Sequence, residues 1–357
     1  MSIDAPLPPG STIGIFGSGQ LGRMLTLAAA RLGLKTHIYA PTGAGSPAAQ
    51  VAQTYTQADY DDLEAVHAFV ETCDALTYEF ENVPAQTAMA AAQRKPLAPS
   101  AFCLTVAQDR LTEKEFISKE AGVPVAPFEA LESEFDLKRA LKRLGGACVL
   151  KTRRFGYDGK GQAIIRSEAD IQAAWEKLGS QSVIAEAFIP FTREVSIVCA
   201  RGADGQTAAY PLVENMHKDH ILHTSTAPAE RDTGKAKELA LNIMEALDYV
   251  GVMATEFFEL EDGSLLVNEI APRVHNSGHW TQDGGCIDQF EQHIRAVAGW
   301  PLGNPVPSHG VVMTNLIGED VNEWQALSRE NNTFLHLYGK KEARAGRKMG
   351  HVNRIVP

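Results

Sequence analysis

The first hundred residues alternate short apolar runs with a stretch of helical periodicity. Apolar residues fill Thr12 to Phe16 and Lys35 to Tyr39, and between them apolar positions recur at helical spacing from Leu21 to Leu32. Strand, helix and strand in this order predict a βαβ unit. A further apolar run over Ala75 to Tyr78 extends the pattern. We therefore predict a small doubly wound α/β domain over residues 1–105.

A larger region follows in which helices alternate with antiparallel strand pairs. Between residues 106 and 303, the pattern pairs Ala147 to Thr152 with Gln162 to Arg166, and Gly251 to Glu259 with Ser264 to Ala271. Proline and glycine concentrate in Pro301 to Pro307, which predicts a linker. Strand-like segments beyond it predict a small C-terminal module over residues 304–357. The fold class is α/β, with an α+β centre.

Composition narrows the classes of function. The 357 residues include 33 Lys and Arg against 44 Asp and Glu, and a net charge of -11 argues against general nucleic-acid binding. No apolar run approaches the ~20 residues of a membrane span, and the first residues lack the pattern of a signal peptide. We expect a cytoplasmic protein without a membrane partner. Five scattered cysteines without a CxxC spacing favour reduced packing residues.

A glycine turn joins the first predicted strand to the first helix. Residues 17–22 (GSGQLG) fit the GxGxxG pattern of dinucleotide sites. A nicotinamide cofactor also requires an acid about twenty residues later to hold the ribose, and Ala40 and Pro41 stand there instead. Two interpretations remain. Either open N–H groups at a helix N-terminus bind the phosphate of another ligand, or the turn only packs the helix on the sheet.

Glycines and basic residues crowd between two predicted strands in residues 151–162 (KTRRFGYDGKGQ). Lys160 is followed by Gly161 and then by a strand, so the segment lacks the hydroxyl and the helix of a Walker loop. A glycine-rich hairpin can fold over a triphosphate and donate backbone N–H groups, while Lys151 supplies a positive charge. The segment predicts a nucleotide flap, and an exposed hairpin with solvated charges is the alternative.

Two glutamates face each other across the second predicted hairpin. A turn centred on Asp262 and Gly263 places Glu256 directly opposite Glu269. Facing carboxylates destabilise a sheet unless a positive charge lies between them, and carboxylate oxygens together with nucleotide phosphates suit Mg²⁺. We predict a Mg²⁺ site, with two solvent-facing acids as the alternative. Asn268 requires a bend in its strand to join this site.

Together these motifs resemble those of the 5-(carboxyamino)imidazole ribonucleotide synthases, which are ATP-grasp ligases of purine synthesis. The resemblance covers essentially the whole chain. It rests on residues 17–25 (GSGQLGRML), 77–84 (TYEFENVP), 108–110 (QDR), 151–162, 194–196 (EVS), 210–215 (YPLVEN) with His217, 267–281 (VNEIAPRVHNSGHWT) and 335–352 (LHLYGKKEARAGRKMGHV). It implies an ATP-grasp fold with a Rossmann-like preATP-grasp domain at the N-terminus (1–105), the ATP-grasp domain (106–303) and a small C-terminal domain (304–357).

The resemblance also implies an activity. It implies that bicarbonate and ATP carboxylate 5-aminoimidazole ribonucleotide (AIR) through carboxyphosphate, with release of ADP and phosphate. ATP and Mg²⁺ are the implied cofactors, with Mn²⁺ as a substitute, and the implied assembly is a homodimer. Another ATP-grasp ligase that joins a carboxylate to an amine is the nearest alternative. An NAD-dependent oxidoreductase has only the glycine turn in its favour, and a catalytically silent nucleotide sensor would lack Lys151 or the glutamate pair.

The resemblance assigns roles to individual residues. Glu256 and Glu269 become the metal ligands, while Arg273, His275 and Asn276 lie near bicarbonate and Lys151 assists catalysis. The residues assigned to AIR are Gln20, Leu21, Tyr157, Asp158, Lys340 and Arg347. The residues assigned to ATP are Arg110, Lys151, Gly156, Tyr157, Asp158, Gly159, Lys160, Gly161, Gln162, Glu186, Ala187, Phe188, Ile189, Glu194, His217, Asn268 and Glu269.

Three local features complete the sequence-based expectations. Lys340, Arg347 and their basic neighbours suit a phosphate monoester, and without the resemblance a solvated basic tail is the alternative. The sequence departs from the family at Phe155, where many relatives have glycine, and at His220, where an Asp-Gly pair is usual. His217, His220 and His223 lack a nearby cysteine or carboxylate cluster to complete a tetrahedral zinc site.

Overall fold

The computed structural model describes residue 3, residues 5–156 and residues 159–356. Its N-terminal part is a parallel sheet of four strands in the order β3, β2, β1, β4. The strands are β1 (Thr12–Phe16), β2 (Lys35–Ala40), β3 (Thr54–Gln57) and β4 (Ala75–Tyr78). The helices are α1 (Gln20–Arg31), α2 (Leu63–Glu71), α3 (Ala85–Ala92) and α4 (Ala101–Ala107). The predicted βαβ unit is confirmed.

A second sheet of four strands carries the predicted flap. Its order is β5, β8, β6, β7, and its strands are β5 (Phe128–Leu131), β6 (Cys148–Thr152), β7 (Gln162–Ile165) and β8 (Val183–Ala187). Helix α5 (Arg110–Glu115) precedes this sheet and continues into a π-helical turn, Phe116–Glu120. Helices α6 (Glu134–Arg143) and α7 (Ile171–Leu178) share its buried core. Lys151 pairs with Gln162 across β6 and β7, which confirms the predicted strand pair.

The third sheet has nine strands and is mostly antiparallel. Eight of them follow the order β14, β13, β9, β11, β12, β15, β17, β16, and β10 pairs with β9. The strands are β9 (Arg193–Arg201), β10 (Thr207–Ala209), β11 (Val213–Lys218), β12 (Ile221–Ala227), β13 (Gly251–Glu259), β14 (Leu265–Ala271), β15 (Gly310–Ile317), β16 (Thr333–Leu337) and β17 (Lys348–Val356). The helices are α8 (Lys235–Ala246), α9 (Gln289–Val297) and α10 (Trp324–Leu327), with 3₁₀ segments at Glu168–Asp170, Asn276–Asp283 and Gly318–Glu323.

The C-terminal strands extend this large sheet. Strand β15 pairs with β12, with Thr314 opposite Thr224 and Val311 opposite Ala227. The sheet therefore runs without interruption across the boundary expected near residue 303. The three domain ranges remain a prediction.

One hydrophobic core joins the N-terminal sheet to the large sheet. Ile13 on β1 and Leu25 on α1 belong to the same buried cluster as Val252 on β13 and Trp280. Arg31 at the end of α1 also pairs with Asp288, the N-cap residue of α9. These contacts position the glycine turn relative to the hairpin of β13 and β14.

In the part of the chain that the structure describes, no helix is both long and apolar enough to cross a bilayer. The five cysteines form no disulfide, and four of them are buried. Burial raises the pKa of Cys199 to about 12. These thiols are packing residues, as their spacing predicts.

Candidate active site

The two glutamates that were predicted to face each other do so. Glu256 on β13 lies directly opposite Glu269 on β14. Next to this pair the register shifts by one residue at a β-bulge, so that Phe257 pairs with Val267 and Asn268 is the extra residue. The bulge is the bend that Asn268 required to approach the glutamates.

The turn of this hairpin differs from the prediction. The Leu260 N–H donates to the Ser264 carbonyl oxygen at 2.9 Å, which leaves three residues, 261–263, in the loop. The prediction of a two-residue turn is therefore wrong. The observed loop is one residue longer, and this extra residue alone would place Asn268 opposite Glu256. The bulge reverses that shift, so the predicted glutamate pair is correct because two irregularities cancel.

A buried lysine stabilises the bulge. The side chain of Lys114 on α5 is 1% exposed, and its Nζ donates to the carbonyl oxygens of Asn268 at 2.9 Å and Val267 at 3.3 Å. Among the described residues, the Asn268 side-chain Oδ1 has no hydrogen-bond partner although it is buried. Burying an unpaired amide oxygen is costly, so this atom is suited to a ligand. Two carboxylates and an amide oxygen fit a hard divalent cation such as Mg²⁺ or Mn²⁺.

The two carboxylates have different neighbours. Arg110 donates to Glu269 at 2.8 Å; burial acts to raise the pKa of Glu269, but the charges of Arg110 and Lys151 outweigh burial and lower it. Burial and the charge of Glu269 raise the pKa of Glu256 to about 7. His275 Nε2 lies 3.1 Å from Glu256 Oε1. A cation between the two acids would stabilise both in their ionised form.

Lys151 and Lys114 share a buried carboxylate at the end of β8. Their Nζ atoms lie 2.9 and 3.3 Å from the same oxygen of Glu186. Burial acts to raise the pKa of Glu186, but the two lysine charges lower it to about 2. Burial lowers the pKa of Lys151. The flap lysine and the first residue of the predicted hinge therefore meet in one charged cluster.

The flap itself depends on left-handed backbone conformations. Gly159 and Gly161 have φ angles of +75° and +72°, which glycine adopts at little cost. Phe155 has a φ of +62°, and this conformation costs a residue with a Cβ atom about 1–2 kcal/mol. A glycine at this position would avoid that cost. Tyr157 and Asp158, both predicted to bind ATP and AIR, lie outside the described residues.

The remaining predicted ATP contacts extend from this cluster onto neighbouring strands. In the predicted hinge, residues 186–189, the Arg166 guanidinium lies 5.1 Å from the ring centroid of Phe188. On β9 and β11, Glu194 Oε1 lies 3.3 Å from His217 Nδ1. Burial acts to lower the pKa of His217, but the hydrogen bond and charge of Glu194 raise it.

The residues predicted near bicarbonate follow directly after β14. Arg273 pairs with Glu81; burial acts to raise the pKa of Glu81, but the Arg273 charge lowers it to about 2. Asn276 exchanges two side-chain hydrogen bonds with Asn315 on β15, at 2.9 and 2.7 Å. A cavity of about 200 Å³ brings several of these residues together. Its lining includes Glu81, Arg110, Gly156, Glu269, Arg273 and His275.

A second cavity, of about 690 Å³, lies between the glycine turn and the C-terminal segment. Gln20, Lys340 and Arg347, three of the residues predicted to bind AIR, line it together. Leu21 is buried in the core beside them. Burial and the charge of Arg347 lower the pKa of Lys340 to about 8. A cavity with two basic side chains suits an anionic ligand.

The glycine turn binds a carboxylate of the protein itself. The N–H groups of Gly19 and Gly22 donate to the two carboxylate oxygens of Glu79, the second at 2.6 Å. Burial raises the pKa of Glu79, against the effect of these two hydrogen bonds. The expectation of open N–H groups at this helix terminus is therefore wrong at both glycines. Glu79 provides the negative charge that a helix N-terminus favours.

Three further charged residues of the site, Glu79, Glu81 and Lys114, were not predicted from the sequence. Glu79 and Glu81 lie in the segment TYEFENVP, at the carboxyl end of β4, where ligands of parallel sheets bind. Lys114 follows Arg110 by four residues on α5, and this spacing places both cations on the same helix face. The position of Glu79 and Glu81 just after the predicted strand Ala75 to Tyr78 was a signal in the sequence, whereas no helix was predicted around Lys114.

Three families match consecutive parts of the chain. The ribonucleotide synthetase preATP-grasp domain matches residues 11–108, and the ATP-grasp domain matches residues 116–290. The phosphoribosylaminoimidazole carboxylase C-terminal domain matches residues 311–357. The expected ATP-grasp fold with its N-terminal and C-terminal additions is confirmed.

Individual relatives agree over nearly the full length. The N5-carboxyaminoimidazole ribonucleotide synthase of Brucella melitensis is 52% identical over 356 residues, which cover 98% of each chain. A solved N5-carboxyaminoimidazole ribonucleotide synthetase in complex with ADP has a TM-score of 0.95 at 42% identity, covering 99% of this chain and 94% of the other. The Aspergillus clavatus N5-carboxyaminoimidazole synthase, solved with ADP and 5-aminoimidazole ribonucleotide, has a TM-score of 0.91 at 30% identity, covering 98% and 94%.

Proposed function

The chain belongs to the N5-carboxyaminoimidazole ribonucleotide synthase family of ATP-grasp ligases, and from this premise we propose how its residues carry out the reaction. The reaction is the ATP-dependent carboxylation of AIR in purine biosynthesis. The observation that carries the assignment of the site is the facing pair of Glu256 and Glu269, which lies beside Arg110 and Lys151.

We assign ATP to the space between the second sheet and the large sheet. Lys151 on β6 and Arg110 on α5 supply positive charge, and the flap covers the phosphates with backbone N–H groups. The hinge at residues 186–189 binds the base, and Glu194 and His217 complete the site. Phosphoryl transfer needs little covalent help from a protein, so these residues act by position and charge.

Glu256, Glu269 and the Asn268 side chain would hold Mg²⁺, or Mn²⁺ in its place. The unpartnered Asn268 Oδ1 and the raised pKa of Glu256 are the features of this chain that support the assignment. When bound, the cation supplies positive charge to the phosphate oxygens.

Arg273 holds bicarbonate beside the γ-phosphate. A bicarbonate oxygen attacks the γ-phosphorus and ADP leaves, which yields carboxyphosphate. The exocyclic amine of AIR then attacks the carboxyl carbon, phosphate leaves, and the amine releases one proton. Arg273 stabilises the developing negative charge, and the surrounding side chains exclude the water that would hydrolyse carboxyphosphate.

AIR occupies the larger cavity, with its phosphate against Lys340 and Arg347. Arginine and lysine provide the donors and the charge that a phosphate monoester requires. Gln20 at the start of α1 faces the same cavity. Glu81 lines the smaller cavity and Glu79 the larger one, although both lie on one short segment. AIR in the larger cavity and carboxyphosphate in the smaller one therefore meet across this segment.

The family premise also supports a homodimer in the cytoplasm. The exposed apolar side chains of Phe334 and Leu337 on the edge strand β16, and of Trp324 nearby, provide a surface for self-association. Sedimentation equilibrium of the purified protein measures the assembly directly.

ADP release with Mg²⁺, ATP and bicarbonate, measured with and without AIR, tests the reaction. We expect strong stimulation by AIR and incorporation of labelled bicarbonate into the product. ATP binding without stimulation by AIR would leave an ATP-grasp ligase with another amine acceptor and would overturn the proposal.

A further inference from the structure

A chain of buried polar residues leads from the middle of the large sheet to His275. We propose that Asn215, Ser196 and Ser277 are positioning residues that fix the tautomer and orientation of His275 and, through it, the orientation of Glu256. The proposal rests on the proposed function, because it assigns His275 and Glu256 to the reacting site.

The hydrogen bonds of this series of side chains all donate in the same direction, from Ser225 towards His275. Ser225 on β12 donates to Asn215 Oδ1, and Asn215 Nδ2 donates to Ser196 Oγ, each at 2.8 Å. Because Ser196 accepts from Asn215, its own hydroxyl proton is directed to Ser277 Oγ, also at 2.8 Å. Ser277 Oγ lies 2.9 Å from His275 Nδ1. The hydroxyls of Ser196 and Ser277 each accept one hydrogen bond and donate the next.

The last bonds determine the tautomer of the imidazole. The backbone N–H of Ser277 donates to His275 Nδ1 at 3.3 Å, so Nδ1 is an acceptor. The ring proton is therefore on Nε2, which lies 3.1 Å from Glu256 Oε1. Both ring nitrogens of His275 therefore have a polar neighbour, Ser277 at Nδ1 and Glu256 at Nε2.

The surroundings make this arrangement rigid. Ser196, Ser225 and Ser277 are 0% exposed and Asn215 is 8% exposed, so water cannot replace a lost partner. A buried polar group without a partner costs roughly 1–3 kcal/mol, which disfavours any alternative pattern of these bonds. The series of hydrogen-bonded side chains crosses β12, β11 and β9 before it reaches the 3₁₀ segment that carries Ser277. His275 is therefore held by side-chain hydrogen bonds that originate in the sheet as well as by the backbone N–H of Ser277.

A fixed His275 has a defined consequence for the glutamate pair. Arg110 donates to Glu269 on one side, and His275 Nε2 contacts Glu256 at 3.1 Å on the other. Groups that orient a ligand through a hydrogen bond typically contribute 10- to 100-fold to metal affinity or activity. Ser196 is also the residue opposite Glu256 across β9 and β13, so Ser277 is the position that acts on Glu256 through His275 without facing it in the sheet. None of the three polar residues lines either cavity.

Ser277→Ala and Ser196→Ala test the proposal, with Thr255→Val as the matched control. Thr255 is a buried residue of β13 whose hydroxyl has no partner among the described residues, so its loss breaks no bond of the chain. We expect the Mg²⁺ concentration for half-maximal AIR-dependent ADP release to rise about 10-fold or more in Ser277→Ala and less in Ser196→Ala. The KM for AIR should stay at the wild-type level, and Ser196→Thr should restore the wild-type Mg²⁺ requirement.

A ligand-free measurement separates this proposal from the proposed function. Nitrogen-15 spectra of histidine-labelled protein, with the His275 signal assigned by its loss in His275→Gln, should show the Nε2–H tautomer. An Nδ1–H tautomer, or Ser277→Ala with the Mg²⁺ requirement of Thr255→Val, would overturn the proposal. A wild-type protein that ignores AIR while its His275 has the expected tautomer would overturn the proposed function alone.

Discussion

Glu256 and Glu269 lie directly opposite each other on neighbouring antiparallel strands, within a site that also contains Arg110, Lys151 and His275. Like charges in such a pair destabilise a sheet. The cation proposed between the two carboxylates would offset this cost. This relationship leads to the first prediction.

Glu269→Gln should abolish turnover and leave the fold intact. The variant keeps the shape of the side chain but removes the charge that pairs with Arg110 and would hold the cation. We expect AIR-dependent ADP release to fall by roughly 100-fold or more, as for loss of one preorganised polar contact in other active sites. The same change at Glu261, in the exposed turn of this hairpin, is the control. Wild-type rates in Glu269→Gln would refute the metal assignment.

Lys114→Met should weaken the site without touching either cavity. Its Nζ holds the bulge at Asn268 and pairs with Glu186, so its loss frees the bulge and leaves Glu186 with Lys151 alone. We expect the free energy of unfolding to fall by about 3 kcal/mol, as for a broken buried ion pair. The Mg-ATP concentration for half-maximal rate should rise about 10-fold.

Lys119→Met is the matched control for Lys114. Lys119 follows in the same helical segment and forms an ion pair with Glu115, but its side chain is 65% exposed. Exposed pairs of this kind contribute about 0–1 kcal/mol, so chemical denaturation should hardly distinguish this variant from wild type. Equal losses of stability in the two variants would show that the bulge does not depend on Lys114.

The glutamate pair and the bulge show what the sequence could and could not predict. Periodicity and the Asp-Gly turn identified both strands, because those features are local. The predicted partner of Glu256 is correct only because the shifts of the turn and the bulge cancel. The bulge depends on Lys114, which is distant in sequence and contacts the strand only in the folded chain. Neither the three-residue turn nor the bulge could therefore be predicted from the sequence pattern, although their register shifts cancel.

The glycine turn shows the same limit in another way. Its strand and helix were predicted correctly, since the hydrophobic pattern determines them. Its ligand was not, because Glu79 comes from the end of a different strand, sixty residues beyond Gly19. The residues that the family resemblance assigned to AIR had two different outcomes. Gln20, Lys340 and Arg347 line one cavity, while Tyr157 and Asp158 lie outside the described residues.

The affinity for AIR should fall as the pH rises above about 8. Burial and Arg347 lower the pKa of Lys340 to about 8, so its ammonium is charged below that value and neutral above it. A phosphate monoester is already fully ionised at this pH, since its second pKa is about 6. The KM for AIR should therefore be constant from pH 7 to 8 and increase above pH 8. The KM for ATP should not show this increase.

Lys340→Arg distinguishes this cause from others. An arginine stays charged throughout the range, so the KM of this variant should lack the increase above pH 8. Arg344→Lys, in the same segment but exposed and paired with Glu342, should keep the wild-type profile. An unchanged increase in Lys340→Arg would assign the titration to another group.

Gly17→Ala should destabilise the protein more than its backbone angle alone requires. Gly17 has a φ of +107°, and a Cβ atom there would lie 2.3 Å from Glu79 Cγ. Gly10 has a similar φ of +91° in the same part of the chain, but a Cβ atom would meet nothing within 4 Å. The strained backbone costs both alanine variants about 1–2 kcal/mol, and the overlap adds about 1–3 kcal/mol at Gly17 only. In a Glu79→Ala background that excess should vanish, because the overlapping atoms are gone; urea denaturation of the four variants measures the coupling. If the excess persists without the Glu79 side chain, the glycine serves the turn for another reason, and the close approach of Glu79 to the helix terminus does not explain it.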